Sequence, residues 1–369
     1  MLKRLYIDNV RCLQSFELQP GQVSALVGPN GGGKSTVFDV LEALQLFLGS
    51  AGLPARQVFA PASLTRWDSR LIQTVEMEVE EPGSPRYLYH LEIRHDAERR
   101  NAVVEERLTS AGQVLYRLAN GQVELYGDQP SQTPRAAFPV DARRSFLPIL
   151  ESRPDNQKIS AFKRWLSGMW LFRLRPERIV PGTREESESI KHDGSNFVSW
   201  YRTLQQESPG ILESLRKDIQ PVIPGLSDIR LSRIGDEKIL TFDCEIGNQT
   251  FSLFLNELSE GQGVLLVLYT VMHALAGRAT LLVFDEPDNF VADAEIQPWL
   301  SGLRDIVVSA QKGTLLVISH HPEVIDYLAA DQVIQIWRDD GPARRRELEV
   351  DREKGLTASK WLRLGSVDG

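Results

Sequence analysis

The sequence predicts an α/β fold in which strands from the two ends of the chain share one sheet. Near the N-terminus, an apolar, β-prone run over residues 23–27 leads into a glycine-rich loop and then into apolar side chains at helical spacing. Near the C-terminus, the runs 280–284 and 314–318 are typical of buried strands and flank a helical stretch over 295–311. We therefore expect an α/β core that also carries an antiparallel β subdomain and a helical insertion.

The periodicity divides the chain into three parts. Residues 1–142 form the N-terminal part, which carries the glycine-rich loop and a series of period-two strands around 75–79, 87–93, 103–108, 114–118 and 123–126. Residues 143–225 are interpreted as the helical insertion because apolar residues recur at helical spacing, as at Ile159, Phe162, Leu166, Met169 and Trp170. Residues 226–369 return to β patterning and then to the α/β pattern of the C-terminal strands.

The composition is that of a globular protein. Of the 369 residues, 42% are apolar and 25% are charged, and no apolar run approaches the length of a membrane-spanning helix. Residues 1–7 read as a strand and lack the apolar core and the cleavage site of a signal peptide. We therefore expect a cytoplasmic protein without a membrane partner. The formal net charge of −8 argues against wholesale coating of nucleic acid.

The glycine-rich loop fits the phosphate-binding pattern G-x-x-x-x-G-K-[ST] from Gly28 to Ser35 without a mismatch. Glycines let backbone N–H groups approach phosphate oxygens, and the start of the following helix adds partial positive charge. Lys34 is expected at the β and γ phosphates of ATP, and Ser35 is expected to offer its hydroxyl to Mg²⁺. A glycine-rich turn that binds nothing is the alternative. The predicted ATP contacts in this loop are Gly28, Asn30, Gly31, Gly32, Gly33, Lys34, Ser35 and Thr36.

An acidic pair follows the apolar run 280–284. If that run is a buried strand, it delivers Asp285 next to Ser35, where a carboxylate can hold Mg²⁺. Glu286 is then placed to orient or deprotonate the attacking water. The alternative is a strand that ends in an acidic turn, and the phosphate-binding loop upstream favours the catalytic interpretation.

The run Leu258–Gln262 precedes an apolar helix that begins near Val264. Ser259 and the N–H groups around Gly261 lie at the expected helix start, which is a second anion-binding terminus. One ATP has one γ phosphate to share between the two termini. We therefore expect the second terminus to face the nucleotide of another copy of the chain, which predicts a homodimer on ATP binding with Ser259, Gly261 and Gln262 contributing in trans.

In this order, the phosphate loop, the run 258–262 and the acidic pair resemble the ATP-binding cassette (ABC) class, whose LSGGQ-type signature contacts ATP in trans. Glu260 replaces the first glycine of that signature. The run 315–321 resembles the switch-histidine strand of the class, which implies His320 as the γ-phosphate sensor, with His321 as the competitor.

The resemblance also bears on two residues of the N-terminal part. It implies that Arg11 approaches the nucleotide, against the alternative of a surface role. The glutamine-bearing loop of the class has no clear counterpart. Gln73 is a candidate, and the alternative is a polar residue at the start of a strand.

Within the class, the chain resembles RecF- and SMC-type ATPases. The run 5–13 is similar to their "I-x-N-F-R" start, and Ser259 follows Lys34 at a longer distance than in transporter subunits. The run 193–196 resembles the compact bacterial "AAA family" ATPases that group with RecF and OLD proteins, and the segment after His321 is too short for the nuclease domain of OLD-type proteins. The resemblance implies an Mg²⁺-dependent ATPase in DNA repair, DNA maintenance or phage defence, working with a separately encoded nuclease or toxin.

Two other functions stay open at this point: a transporter-type motor subunit, and an ATP-sensing regulatory module with little turnover. DNA is a candidate partner because basic residues concentrate near the insertion, although a solvated helix face is the simpler explanation for them. These basic residues are Arg143, Arg144, Arg153, Lys158, Lys163, Arg164, Arg173, Arg175 and Arg178.

Overall fold

A computed structural model describes residues 1–96, 101–328, 330–348, 357, 359 and 360, so most of the predicted C-terminal part beyond residue 348 lies outside the described residues. The strands are β1 (Leu2–Asp8), β2 (Phe16–Leu18), β3 (Val23–Val27), β4 (Ile72–Val79), β5 (Tyr87–His95), β6 (Asn101–Ser110), β7 (Gln113–Ala119), β8 (Gln122–Leu125), β9 (Ala136–Pro139), β10 (Met169–Phe172), β11 (Gly182–Thr183), β12 (Leu226–Ile234), β13 (Glu237–Ile246), β14 (Gln249–Phe254), β15 (Leu281–Asp285), β16 (Thr314–Ile318), β17 (Gln332–Trp337) and β18 (Arg344–Leu348). The helices are α1 (Lys34–Leu48), α2 (Ala55–Val58), α3 (Gln157–Ser167), α4 (Phe197–Glu207), α5 (Pro209–Ile219), α6 (Glu260–Leu275), α7 (Asp293–Ala310) and α8 (Pro322–Leu328).

The core sheet joins the two ends of the chain in the order β10-β15-β16-β3-β17-β18, as the sequence predicted. Its first five strands are parallel, and β18 runs antiparallel to β17. Every residue of β3, β15 and β16 is buried, which explains why these strands read as continuous apolar runs. Because parallel strands end at the same edge of a sheet, the loops after β3, β15 and β16 gather there.

The predicted antiparallel subdomain is an eight-stranded sheet with the order β2-β1-β4-β5-β6-β7-β8-β9. The alternation seen in the sequence matches the two faces of β4, because Val75, Met77 and Val79 are buried while the intervening glutamates are partly exposed. Arg4 of β1 pairs with Glu76 and Glu78 on the other face, at 2.7 and 3.4 Å. Fold class and subdomain are therefore as expected.

The prediction that one helix extends through Met169 and Trp170 is wrong. Helix α3 ends at Ser167, where the N–H of Gly168 bonds to the carbonyls of Arg164 and Trp165, and the next four residues form β10. Strand β10 is added in parallel beside β15 at the edge of the core sheet. Pairing between distant segments therefore overrides the local helical spacing. The division of the chain at residues 142 and 225 stays a prediction.

A second antiparallel sheet, built from β11, β12, β13 and β14, precedes α6. Strand β14 leads through a short turn to the start of α6, and α6 packs against α5 in one apolar core. The start of α6 is thereby held by elements of both the middle and the C-terminal parts. Among the helices in the described ranges, none combines the length and the hydropathy needed to cross a membrane.

Candidate nucleotide-binding site

The phosphate loop runs from the end of β3 into α1 and packs against β17. Gly28 and Gly33 have φ values of 141° and 115°, which side chains other than glycine rarely adopt. A β-carbon at Gly28 would also overlap the carbonyl oxygen of Ile336. The loop therefore requires glycine for both its turn and its close packing, and it directs the unpaired N–H groups at the start of α1 into a cleft.

Lys34 is the first residue of α1, and only 4% of its surface is exposed. Its ammonium group donates to the carbonyl oxygens of Gly28 and Pro29, at 2.7 and 3.0 Å. Burial lowers the pKa of Lys34, while the charges of Glu286 and Asp285 oppose that shift. A phosphate group would replace weak carbonyl partners by a charged one, which suits a lysine that binds the β and γ phosphates.

The cleft beside the loop has a volume of about 410 Å³. Trp67 lies in its wall with half of its side chain exposed, and its indole N–H donates to Gln14 Oε1 at 2.9 Å. The guanidinium carbon of Arg338 lies 5.3 Å from the centre of the Trp67 ring. The residues that line the cleft are Arg11, Cys12, Asn30, Gly31, Gly32, Gly33, Lys34, Ser35, Thr36, Ala62, Leu64, Arg66, Trp67, Glu286 and Arg338.

Asp285 ends β15, and its carboxylate lies beside Ser35. The Ser35 hydroxyl oxygen is 3.5 Å from Asp285 Oδ1. Burial raises the pKa of Asp285, while the nearby charge of Arg173 opposes that shift. A hydroxyl and a carboxylate oxygen are the hard donors that Mg²⁺ prefers, and their spacing leaves room for an ion between them. The residues present therefore fit a magnesium site.

Glu286 follows in a left-handed backbone conformation, with φ of 52°, that is uncommon outside glycine. Its N–H donates to the carbonyl of Ile318 at 2.8 Å, and its carboxylate accepts from Asn289 Nδ2 at 2.7 Å. The other carboxylate oxygen lies 3.5 Å from His320 Nδ1. The strained turn therefore points a carboxylate into the cleft, with a histidine from the neighbouring strand beside it.

Of the two histidines after β16, the structure places His320 beside Glu286. The His321 ring lies against it at a tilt of 42°, with ring centres 4.0 Å apart, and the His321 backbone N–H donates to Ser319 Oγ at 2.9 Å. Ser319 in turn donates to the buried Asp288 at 2.7 Å. The position of His320 suits the sensor that was expected there.

The predicted signature residues lie at the start of α6 and not in this cleft. Ser259 Oγ accepts from the Gln262 N–H at 3.2 Å, and Gln262 Oε1 accepts from the Ser259 N–H at 3.1 Å, which forms a capping box. Gln262 also donates to the carbonyl of Val222 at 3.1 Å. Ser259 is exposed, and a β-carbon at Gly261 would lie 2.6 Å from the carbonyl oxygen of Phe290. Within the described part of the chain, residues 258–262 do not line the cleft.

Arg11 and Gln73 differ in their positions. Arg11 lines the cleft, half of its side chain is exposed, and its guanidinium pairs with Asp39. Gln73 is buried, bonds to the Asn9 carbonyl at 3.0 Å and to His95 Nε2 at 2.9 Å, and is not among the described residues that line the cleft. The structure therefore favours the alternative for Gln73, a polar residue at the start of a strand.

Two site residues were missed from the sequence: Trp67, which lines the cleft, and Arg173. Arg173 follows β10 directly, and its guanidinium bonds to Asp285 at 2.7 Å and to Asp39 at 2.9 Å. In the sequence it counted only as one of several basic residues near the insertion. The four apolar residues before it were the usable signal, because a charged residue directly after a buried parallel strand lies at the same edge as Asp285.

Two sequence comparisons match parts of the chain. A family model described as ABC transporter matches residues 14–56, which hold the phosphate loop and α1. An OLD nuclease from Thermus scotoductus is 41% identical over 69 residues, which are 19% of this chain and 12% of that protein. The matched stretch therefore spans only a small part of the curated relative.

The fold as a whole resembles SMC head domains. The SMC head bound to the C-terminal winged-helix domain of ScpA has a TM-score of 0.58 and 16% identity, covering 95% of this chain and 99% of that one. The chain has the ABC-class fold of SMC heads. Two further heads of this ABC class match at 12% identity and 99% of their own length: one bound to a ScpA domain from Pyrococcus furiosus, at a TM-score of 0.52 over 98% of this chain, and one from Pyrococcus yayanosii, at 0.50 over 99%.

Proposed function

We propose that two copies of this ABC-class head close around two molecules of Mg²⁺-ATP, hydrolyse them and then separate. One observation carries the proposal. The phosphate loop and Glu286 line one cleft, with Asp285 Oδ1 3.5 Å from the Ser35 hydroxyl, whereas the capped and exposed helix start at Ser259 lies outside it. A second copy of the chain can supply its own α6 start to the open side of each nucleotide, where the free N–H groups would contact phosphate. Nucleotide occupancy would then set the dimeric state.

Within each half-site the residues have distinct roles. Lys34 and the loop N–H groups bind the β and γ phosphates, with Arg11 on the adjoining wall. Ser35 and Asp285 hold the magnesium ion, which supplies charge neutralisation when bound. Glu286 orients the attacking water and accepts its proton. His320, whose Nδ1 lies 3.5 Å from Glu286, is the residue that we assign as the sensor of the γ phosphate.

Trp67 supplies the flat face for the base in this proposal, because its ring is fixed by Gln14 and half of it is exposed at the cleft wall. Replacing Trp67 by Ala should weaken ATP binding about tenfold, since base–aromatic stacking contributes about 1–3 kcal/mol. Calorimetric titration with Mg²⁺-ATP measures this change. Tripolyphosphate, which has no base, should bind equally well to both proteins, and Leu71→Ala is the control for an exposed apolar side chain on the same segment. Equal loss for both ligands would contradict the assignment.

The biological role that we propose is a cytoplasmic, DNA-associated machine in repair, chromosome maintenance or phage defence, coupled to a separately encoded nuclease or toxin. The likeness to SMC heads and the stretch shared with an OLD nuclease support it. The solved heads bound to ScpA domains support the idea that such a fold accommodates a protein partner.

The structure changes which basic residues are suited to DNA. Lys158 and Lys163 donate to carbonyl oxygens, and Arg178 pairs with Asp193, so these three are already engaged. A cleft of about 620 Å³ instead brings together four arginines from three segments, and three of them have no carboxylate partner among the described residues. The four are Arg56, Arg94, Arg143 and Arg144. Arg143 pairs with Asp141, Arg144 donates to the Gly52 carbonyl at 3.3 Å, and Arg56 and Arg94 have neither kind of partner among the described residues. Unpaired guanidinium groups in one cleft favour contact with a phosphate backbone.

We expect ATP-dependent DNA binding that weakens steeply with salt. Each phosphate contact contributes about 0.9 to the slope of log affinity against log salt, so Arg56→Gln with Arg94→Gln should reduce that slope by about 2. Fluorescence anisotropy with a labelled duplex at several salt concentrations measures it. Arg184→Gln with Arg233→Gln removes two exposed arginines elsewhere and should leave the slope unchanged. A flat salt dependence, or binding that ignores ATP, would rule out this role.

An ATP-sensing module with little turnover is the second candidate. It is favoured by one observation, the pairing of Arg173 with the same carboxylate that would hold the metal ion. Robust turnover by the wild-type protein that is lost in Glu286→Gln excludes it.

A further inference from the structure

The position of Arg173 follows from the register of the core sheet. Strands β10 and β15 are parallel, and Phe172 pairs with Phe284 in the last described step of their ladder. The next residues, Arg173 and Asp285, therefore leave the sheet side by side at its carboxyl edge. The start of α1, which carries Ser35, lies beside this edge, with the Ser35 hydroxyl oxygen 3.5 Å from Asp285 Oδ1.

Each of the three guanidinium nitrogens of Arg173 donates a hydrogen bond. Its Nε donates to Asp285 Oδ2 at 2.7 Å, one terminal nitrogen donates to Asp39 Oδ1 at 2.9 Å, and the other donates to the Ser35 carbonyl at 3.4 Å. Its central carbon lies 4.3 Å from the centre of the Phe38 ring. A planar fork that spans two carboxylates and stacks on an aromatic ring is a geometry that arginine can provide and lysine cannot.

The charges around Arg173 explain why it is needed when no nucleotide is bound. The Asp285 side chain is only 3% exposed, and that of Asp39 is 21% exposed. A buried carboxylate is costly unless a cation pairs with it. Arg173 supplies that cation to Asp285, and it shares Asp39 with Arg11.

A metal ion would need the same carboxylate. Of the two oxygens of Asp285, Oδ1 faces the Ser35 hydroxyl at 3.5 Å, and Oδ2 accepts from Arg173. A divalent cation between Ser35 and Asp285 would lie within a few ångströms of the guanidinium, beside a carboxylate that is only 3% exposed. Like charges at that distance repel strongly, so the two cations oppose each other at one carboxylate.

We propose that Arg173 is a resident counter-ion of Asp285 that competes with Mg²⁺ and so sets the Mg²⁺ concentration at which nucleotide binds. The inference rests on the proposed function, since it concerns the metal that accompanies ATP. Asp39 holds the guanidinium on its other side and is the residue to which Arg173 withdraws when Asp285 turns to the metal. Arg173 acts through Asp285 and is therefore a positioning residue.

The test is a Mg²⁺ titration of the binding of a fluorescent ATP analogue, with the analogue at a fixed concentration. Arg173→Met keeps an apolar chain over Phe38 but removes the charge, so the Mg²⁺ midpoint should fall about tenfold. Arg175→Met is the matched control, because Arg175 is exposed and its ion pair is with Glu177 at 4.0 Å. Thermal unfolding in EDTA should show a lower midpoint for Arg173→Met and no change for the control.

Asp39→Asn provides a shift in the opposite direction. Without the Asp39 charge, Arg173 should pair more tightly with Asp285, and the Mg²⁺ midpoint should rise about threefold. Arg173→Lys should fall between the wild type and Arg173→Met. A merely structural role would change the unfolding midpoint and leave the Mg²⁺ midpoint where it is, which would overturn the proposal.

The outcomes separate this inference from the proposed function. If the wild type binds no nucleotide, or binds it without regard to Mg²⁺, the proposed function fails. If the wild type requires Mg²⁺ but Arg173→Met and Asp39→Asn shift the midpoint in the same direction, only the counter-ion role fails. Should Arg173→Met not fold, Arg173→Lys decides the matter, because it keeps the charge but cannot span Asp285 and Asp39 and should still lower the Mg²⁺ midpoint.

Discussion

Glu286→Gln, supplied with Mg²⁺-ATP, is expected to accumulate as a long-lived dimer. Glutamine keeps the size of the side chain and can still accept from Asn289, which holds the wild-type carboxylate at 2.7 Å. It cannot take the proton of the attacking water, so turnover should fall about 10²- to 10⁴-fold. Binding residues such as Lys34 and Ser35 are untouched. The closed dimer would then form on ATP binding and could not be opened by hydrolysis.

Sedimentation velocity with ATP, with ADP and without nucleotide measures this outcome, alongside the rate of phosphate release. The dimer should appear with ATP only. Glu295→Gln is a matched control, since Glu295 is an exposed residue of the first turn of α7 and does not line the described cleft. A Glu286→Gln protein that binds ATP and stays monomeric at all concentrations would count against closure around two nucleotides.

The parts of the fold that the sequence predicted are those whose pattern is local. The loop from Gly28 to Ser35 is contiguous in the sequence. The spacing of its glycines matches the phosphate-binding pattern, and the positive φ values of the loop require glycine there. The strands β15 and β16 are buried on both faces, so their apolar runs are unambiguous. The carboxyl-edge position of Asp285 follows directly from those strands.

The parts that could not be predicted depend on pairing between distant segments. Strand β10 has four residues, too few for a distinctive period, and its apolar residues continue the helical spacing of α3. Its partner in the sheet, β15, lies far along the chain. Because that pairing sets the position of Arg173, its contacts with Asp285 and Asp39 could not be predicted from the sequence either.

Glu106 shows the same limit within the antiparallel sheet. As one of two adjacent glutamates in β6 it reads as a solvated side chain, yet it is fully buried. Tyr89 and Tyr116 donate to its two carboxylate oxygens at 3.1 and 2.9 Å, and Ser145 donates as well. Burial raises the pKa of Glu106 to about 7, with these donors opposing the shift. The hydroxyl partners come from other segments, so alternation alone could not identify this site.

Ser259→Arg, placed in the Glu286→Gln background, is expected to abolish the ATP-dependent dimer while the monomer still binds nucleotide. Ser259 is exposed at the start of α6, where its side chain caps the helix and the free N–H groups point outward. A long cationic side chain there would occupy the space of the partner's γ phosphate and remove the cap, which contributes about 1 kcal/mol to the helix. Residues 258–262 do not line the described cleft, so nucleotide binding in cis has no reason to change.

The decisive comparison is between association and affinity in the same protein. Sedimentation should show only monomer with ATP for the Ser259→Arg protein, while calorimetry gives an ATP affinity within about twofold of the parent, because a surface substitution away from a site usually has a small effect. Ser301→Arg is the control, since it places the same side chain on an exposed position of α7 and should leave the dimer intact. If the Ser259→Arg protein still dimerises, the helix start does not complete the partner's site. If it loses ATP binding as a monomer, the signature acts in cis.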